Sequence, residues 1–223
     1  MSVPELPPWR SVLVVVAHPD DESFGLGAVL SAFVAAGAEV DVLCLTHGEA
    51  STLHGVEGDL ATLRAAELRA AADALGVTRV ELLDLPDAAL ASLPEEYLVG
   101  PVLDAIARTG ADGILAFDVG GVTGHPDHVT ATRAAVTAAE RRDLPVLGWT
   151  LPAGVARQLS EEFGAGFLGH SEAETDVVLA VSRARQRAAV ACHPSQAVPG
   201  SVLWRRLDLQ GDAEHLRWLR RGG

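Results

Sequence analysis

The stretch Ser11-Val12-Leu13-Val14-Val15-Val16-Ala17-His18-Pro19-Asp20-Asp21-Glu22 decides the fold. An apolar run rich in β-branched residues ends abruptly in one imidazole and three carboxylates. The run is too short to span a bilayer and suits a strand buried on both faces. Pro19 cannot continue a ladder, so the chain turns there. A helical pattern from about Ser23 to Ala36 begins just beyond. The polar cluster therefore stands at the carboxyl end of a strand that feeds a helix, the edge at which open α/β sheets bind ligands. Packing Asp20, Asp21 and Glu22 together is costly unless a positive charge offsets it, and a divalent cation is the simplest such charge. His18 and Asp21 are three apart across a tight turn and can converge on one ion. Asp20 lies between them and points elsewhere, free for proton transfer.

Outward from this stretch, strand and helix patterns alternate. Glu39 to Leu45 reads as a second strand, followed by the turn Thr46-His47-Gly48-Glu49. Ser51 to Gly58 reads as a loop, and Asp59 to Leu75 as a helix closed by Gly76. Arg79 to Leu83 is a third strand, ending in Asp84-Leu85-Pro86-Asp87, and Pro94 to Arg108 a third helix. Gly113 to Phe117 is a fourth strand, ending in Asp118. Pro126 suits a first helical position, which predicts a helix to about Arg141; Val146 to Leu151 is a fifth strand. This series argues for an α/β fold: a Rossmann-like, doubly wound, mostly parallel sheet flanked by helices. No linker marks a second domain, so residues 1–223 read as one domain, with 11–151 bearing the motifs and 152–223 completing it. Beyond Leu151 the pattern is weaker; Asp176 to Val181 suggests a strand and Ser182 to Ala191 a helix.

Composition bounds the class. The 223 residues are 48% hydrophobic, enough for a full core, and the net charge of −13 includes no block of Lys or Arg. That argues against nucleic acid or an anionic membrane surface as partner. The two cysteines, Cys44 and Cys192, have no zinc-finger spacing, and a reduced, cytoplasmic setting fits them. Met1 to Arg10 lacks a signal-peptide stretch, and no later run reaches transmembrane length.

One short echo carries the chemistry. His18-Pro19-Asp20-Asp21 recurs as His125-Pro126-Asp127-His128, and both follow apolar strands. If strand order follows the Rossmann pattern, the first and fourth strands are neighbours, and the two turns face each other across one crevice. His18, Asp21 and His128 then form a set of two imidazoles and one carboxylate. That set suits catalytic zinc and also non-haem iron. Zinc lowers the pKa of a bound water toward about 7. Asp20 is placed to take the proton from that water, and His125 to hydrogen-bond an oxyanion or protonate a leaving group. A lone His-Pro-Asp is ordinarily turn and capping chemistry; two copies on one sheet edge are what favour a metal.

At these residues the sequence resembles the PIG-L/LmbE family of zinc-dependent N-acetylglucosaminyl deacetylases. Ala17-His18-Pro19-Asp20-Asp21-Glu22 and His125-Pro126-Asp127-His128 match its two signature motifs. Supporting matches are Thr46-His47-Gly48-Glu49, Arg64-Ala65-Ala66-Glu67, Leu75-Gly76-Val77 and His193-Pro194-Ser195-Gln196. The resemblance implies His18, Asp21 and His128 as zinc ligands, Asp20 as general base and His125 as the group serving the tetrahedral intermediate or the departing amine. It further implies that Arg64 and Asp87 contact substrate, with His193 lining the pocket. The chain departs from some members at Thr123, where they carry tyrosine, and at Gln186, where a basic residue is common.

The residues themselves add weight at two positions. Arg64 and Glu67 fall inside the helical stripe of Leu60, Leu63, Leu68, Ala71 and Leu75. Charges there line a polar cavity or pair with each other at i,i+3. Turn capping is the plain alternative for Asp87, a helix-dipole contact for His193, and a solvated turn for Glu49. His47, His54, His170 and His215 read as surface or turn residues, and Trp9, Trp149, Trp204 and Trp218 as packing. Arg205, Arg206, Arg217, Arg220 and Arg221 read as solvated charges.

The expectation is thus a metal-dependent hydrolase that removes an N-acetyl group from an amino sugar or glycoconjugate, a small-molecule partner. Zn2+ or, in the cell, Fe2+ is the expected ion, and a homo-oligomer is left open. An iron(II) oxygenase on the same ligands and a non-catalytic carbohydrate-binding protein are the alternatives.

Overall fold

The computed structural model describes residues 6–52 and 59–223. The loop read over Ser51 to Gly58, with His54, lies outside the described residues from position 53 onward, as do residues 1–5 of the amino-terminal segment. In chain order the elements are β1 (Ser11–Val16), α1 (Asp21–Phe24), α2 (Gly27–Ala35), β2 (Glu39–Thr46), α3 (Leu60–Leu75), β3 (Arg79–Leu85), α4 (Glu95–Thr109), β4 (Gly113–Phe117), α5 (Gly121–Gly124), α6 (Pro126–Arg142), β5 (Val146–Thr150), α7 (Ala153–Phe163), β6 (Val177–Ala180), α8 (Ala184–Val190), α9 (Val202–Gln210) and β7 (Ala213–Arg220). The strands form one sheet in the order β3-β2-β1-β4-β5-β7-β6. The first five in that order run parallel, while β7 is antiparallel to β5 and β6. The mostly parallel α/β fold read from the sequence is the fold observed. β1 and β4 are neighbours, with Val12 opposite Gly113 and Val14 opposite Leu115.

Period-two burial on β1 explains why its sequence is apolar throughout. Val12, Val14 and Val16 join the core layer with α2, α3 and α8; Leu13 and Val15 join the layer with α4 and α6. Small residues on α6, among them Ala131, Ala134, Ala135 and Ala138, let it pack closely on the second layer. Asp59 caps α3 by accepting from Thr62 N, and Gly76 ends the helix at φ +81, where only glycine is free of strain. Pro126 opens α6.

Two features differ from the sequence reading. The single helix expected over 23–36 is two pieces, because the chain bends at Gly25 under Phe117. A Cβ on Gly25 would stand 2.3 Å from the Phe117 ring. Beyond the strand and helix expected over 176–191, the carboxyl-terminal part also carries α7, α9 and β7, and β7 closes the sheet in the opposite direction. Among the described residues no helix is long and apolar enough to cross a membrane. Cys44 is buried and Cys192 partly buried, and both are free thiols.

Candidate metal centre

The turn after β1 and the entry to α6 meet at the carboxyl edge of the sheet. His18 Nδ1 lies 3.2 Å from His128 Nε2. His128 Nε2 lies 3.1 Å from Asp21 Oδ1, and His18 Nδ1 lies 3.7 Å from Asp21 Oδ2. Atoms bound at 2.0–2.2 Å around a tetrahedral ion stand about 3.4 Å apart, so these three donors fit one cation.

Hydrogen bonds on the outer ring nitrogens turn the inner ones toward the same point. His18 Nε2 faces Asp87 Oδ1 at 3.0 Å and Asp127 Oδ2 at 3.4 Å, which places its proton there. His128 Nδ1 donates to the carbonyl of Gly121 at 3.2 Å. Both inward nitrogens then present lone pairs toward each other, an arrangement that needs a cation or a proton between them. The electrostatics agree. Burial by itself would lower His18, yet Asp127, Asp87, Asp21 and Asp20 outweigh it and push the imidazole up to about 10. His128 is raised in the same way, chiefly by Asp21 against burial. Burial would raise Asp21, but His128 and His18 hold it well below the carboxylate range. A pocket that binds a proton this firmly offers the same field to a metal ion.

Asp20 stands beside this set without joining it. It adopts φ +110, a region non-glycine residues avoid. Its amide donates to Glu22 Oε2 at 2.8 Å, and its carbonyl accepts from Ser23 N and Phe24 N at 3.0 and 2.8 Å. The carboxylate pairs with Arg64 Nη2 at 3.1 Å. Burial pushes Asp20 up to about 6, with Asp21 and Glu22 adding to it and Arg64 opposing. Arg64 also donates to the carbonyls of Gly48, at 2.6 Å, and Pro19. The i,i+3 pair with Glu67 does not form; Glu67 instead accepts from Ser195 N at 3.0 Å and Ser195 Oγ at 2.6 Å.

His125 is half-buried, and its Nδ1 accepts from Asp127 N at 3.2 Å. Its ring centroid lies 5.0 Å from that of His18 and 4.8 Å from that of His128. Burial, and the positive charge of those two neighbours, lower its pKa and keep it neutral. Asp87 accepts from Ala50 N at 2.8 Å besides facing His18; these contacts outweigh burial and hold it at about 2. Asp20, His125, Arg64 and Asp87 all line one cavity of about 400 Å³ with the three candidate donors.

His193 does not line that cavity, contrary to the sequence expectation. It is fully buried, with Nε2 on Glu22 Oε1 at 2.8 Å. Glu22 is itself fully buried and needs a cationic or hydrogen-bonding partner, which fixes where the imidazole goes. Gln186 is also structural, donating to the carbonyls of Ser23 and Phe24 at 3.0 and 3.1 Å.

Sequence reasoning missed four contributors. Asp127, wholly buried, holds His18 and accepts from Leu90 N at 3.1 Å; its place inside the repeated motif was the available signal. Glu22 was in the opening stretch, but its burial was not legible there. Arg206, taken as solvated, is only 4% exposed and lines the cavity, as does Trp149. His170 and Arg217, also read as surface groups, meet at Asp118, with His170 Nε2 2.9 Å and Arg217 Nη1 3.5 Å from its carboxylate.

Comparison with known proteins places this geometry in context. Residues 13–139, more than half of the chain, match the family model described as PIG-L, GlcNAc-PI de-N-acetylase. A 1D-myo-inositol 2-acetamido-2-deoxy-alpha-D-glucopyranoside deacetylase of Nakamurella multipartita is 31% identical over 86% of this chain and 82% of its own length. Its counterpart in Kineococcus radiotolerans is 31% identical over 58% of this chain but only 44% of its own length; for that of Geodermatophilus obscurus the latter share is 54%. The chain thus spans about half the length of these last two relatives. Among solved structures, the zinc-inhibited form of teicoplanin deacetylase Orf2 superposes with TM-score 0.68 at 22% identity, covering 93% of this chain and 97% of that one. GalB, the 4-carboxy-2-hydroxymuconate hydratase of Pseudomonas putida KT2440, superposes with TM-score 0.72 at 19% identity, covering 96% and 98%. Likeness at this level of identity is a likeness of fold, and one fold here carries two chemistries.

Proposed function

The chain belongs to the PIG-L family, and from that membership we propose that it is a zinc-dependent amide hydrolase removing the N-acetyl group of an amino sugar or glycoconjugate. The observation that carries the reading is the pairing of a closed donor triangle, His18, Asp21 and His128, with a carboxylate, Asp20, that is adjacent to the triangle and not part of it. The deacetylases among the relatives support the substrate class.

A zinc ion on these donors supplies a polarising positive charge and a water acidified toward about 7. Asp20, held by Arg64, accepts the proton of the attacking water; with its pKa at about 6 it is mostly ionised at neutral pH and still a competent base. His125 uses Nδ1 as an acceptor, so its proton sits on Nε2, and that N–H donates to the oxyanion that develops on the acetyl carbonyl. Asp20, protonated by that transfer, then delivers its proton to the departing amine. Arg64 and Asp87 present polar groups to sugar hydroxyls from the cavity wall. His193 acts behind the wall, through Glu22, on the backbone of Asp20.

Metal analysis of the purified protein, coupled to amine release from N-acetylglucosamine and its inositol glycoside, tests the proposal. Amine release that tracks zinc content is expected. Metal-loaded protein that frees no amine from any N-acetyl amino sugar would overturn it. Protein prepared without oxygen and compared for zinc and iron content decides between Zn2+ and Fe2+. The triangle alone also fits an iron(II) oxygenase, but no further observation favours that reading.

A further inference from the structure

The cavity wall contributed by the carboxyl-terminal segment buries more positive than negative charge. Glu214, fully buried, accepts from Arg183 Nη1 at 2.5 Å, Trp149 Nε1 at 2.7 Å and Gln210 Nε2 at 3.2 Å. Its ion pair is with Arg183. Arg206, next to this group, donates among the described residues to neutral acceptors, Gln210 Oε1 at 2.5 Å and the carbonyl of Phe24. Its guanidinium carbon stands 5.0 Å from the centroid of the Trp149 ring. Among the described residues no carboxylate lies within ion-pairing distance of it, and the charges that act on it are those of Glu214 and Arg183. Two guanidiniums thus share one carboxylate. A buried charge without its counterion is expensive, and a fold keeps one where it is used.

Arg206 lines the same cavity as the metal donors, among Phe24, Trp149, Val202 and Leu203. Apolar walls strengthen its field. The other guanidinium on the lining, Arg64, is already paired with Asp20. In a chain of net charge −13, Arg206 is therefore the cavity-lining guanidinium that has no carboxylate partner among the described residues.

We infer that Arg206 is a specificity residue that binds an anionic group, a carboxylate or phosphate, carried by the substrate near its N-acetyl sugar. The inference rests on the amide-hydrolase reading and deepens it by naming the substrate class. A free anion, including the acetate product, has the same chemistry, and the test separates it from a substrate group.

The metal-loaded full chain is assayed on N-acetylglucosamine, its 1- and 6-phosphates, and N-acetylmuramic acid. At least one anionic compound is expected to exceed the neutral sugar in kcat/KM by about ten- to a hundredfold, the usual worth of a charge-assisted hydrogen bond. Arg206→Gln is expected to bring that ratio toward one, mainly through KM, and Arg206→Lys to restore part of it. A merely structural role would lower both substrates together and leave the ratio where it was, which would overturn the inference. Equal use of neutral and anionic sugars by the unaltered protein would overturn it as well. Calorimetric binding of glucosamine against glucosamine 1- and 6-phosphates needs no turnover, so it decides the matter even if no acetyl group is released. Tighter binding of a phosphorylated amine, lost in Arg206→Gln and partly regained in Arg206→Lys, supports the inference. Inorganic phosphate or acetate binding as tightly as the sugar phosphates would assign the site to a free anion and overturn it.

Discussion

The two His-Pro-Asp turns are alike in sequence and opposite in use. In the first, His18 belongs to the candidate donor triangle and Asp20 stands outside it at φ +110. In the second, the leading His125 caps α6 by accepting from Asp127 N, and the fourth residue, His128, completes the candidate triangle with His18 and Asp21. The two aspartates differ most. Asp20 leans on Arg64 and is pushed up by burial, whereas Asp127 is wholly enclosed between His18 and Leu90 N, contacts that hold it low against burial. A repeated tetrapeptide thus fixes a local turn but not a role. The role follows from whether the backbone continues straight into a helix, as at Pro126, or first twists into the left-handed region, as at Asp20.

The largest effect expected of any substitution in these turns is at the shared donor. Asp21→Ala removes the only anionic corner of the triangle. Loss of the metal forfeits several kcal/mol of charge stabilisation, so amine release should fall at least about a thousandfold, with bound zinc falling in parallel. Full zinc occupancy in this variant would remove Asp21 from the donor set. Asp20→Asn comes next and should dissociate the two properties: kcat drops by about 10²–10⁴ while zinc content is retained. Equal turnover with zinc bound would end its assignment as base. Asp127→Asn should do the reverse of Asp20→Asn at a smaller scale, weakening zinc affinity by about 10- to 100-fold because it slackens His18 from behind. Competition against a metal-sensitive dye measures it. If Asp20→Asn loosened the metal and Asp127→Asn did not, the contrast between the two turns would be the wrong way round.

How far the sequence discloses this follows the same divide. The parallel half was legible because doubly buried strands leave continuous apolar runs and helices leave caps, as Asp59, Gly76 and Pro126 do here. The meeting of the two turns was legible from strand order, since β1 and β4 are adjacent. What stayed hidden lies in contacts between residues far apart in the chain. Nothing near His193 says that its partner is Glu22, 171 positions away, so it reads as a pocket residue. Arg206 stands among other arginines and looks solvated; only the closing of β7 and α9 over Trp149 buries it. The antiparallel end escaped because β7 is half-buried along much of its length, so its residues alternate too weakly to be read.

The smallest expected effect concerns stability and bears on why Asp20 is strained at all. A non-glycine residue in the left-handed region costs on the order of 1–3 kcal/mol, and burial that raises a carboxyl shows that the fold disfavours its ionised form. Both costs vanish in Asp20→Gly. Against them stands the loss of the Arg64 ion pair, a real cost for a buried guanidinium, but Arg64 keeps the carbonyls of Gly48 and Pro19 as acceptors and, since both side chains line the cavity, would be met by water in the space the carboxylate leaves. With metal removed by a chelator, Asp20→Gly should therefore melt higher than the unaltered chain, by roughly 2–4 °C for each kcal/mol gained in a domain of this size. The sign with pH follows from the raised carboxyl. Its destabilising influence is absent where the carboxyl is protonated both folded and unfolded, grows as pH rises from about 4 to about 6 and is full above that, so the gain should be larger at pH 7.5 than at pH 5. Asp127→Gly should melt lower under the same conditions, since it leaves Leu90 N unpaired and puts glycine into the first turn of α6. A lower melting point for Asp20→Gly would mean that the Arg64 pair outweighs the strain, and that the first turn, like the second, is shaped for stability instead of for holding a base clear of the metal.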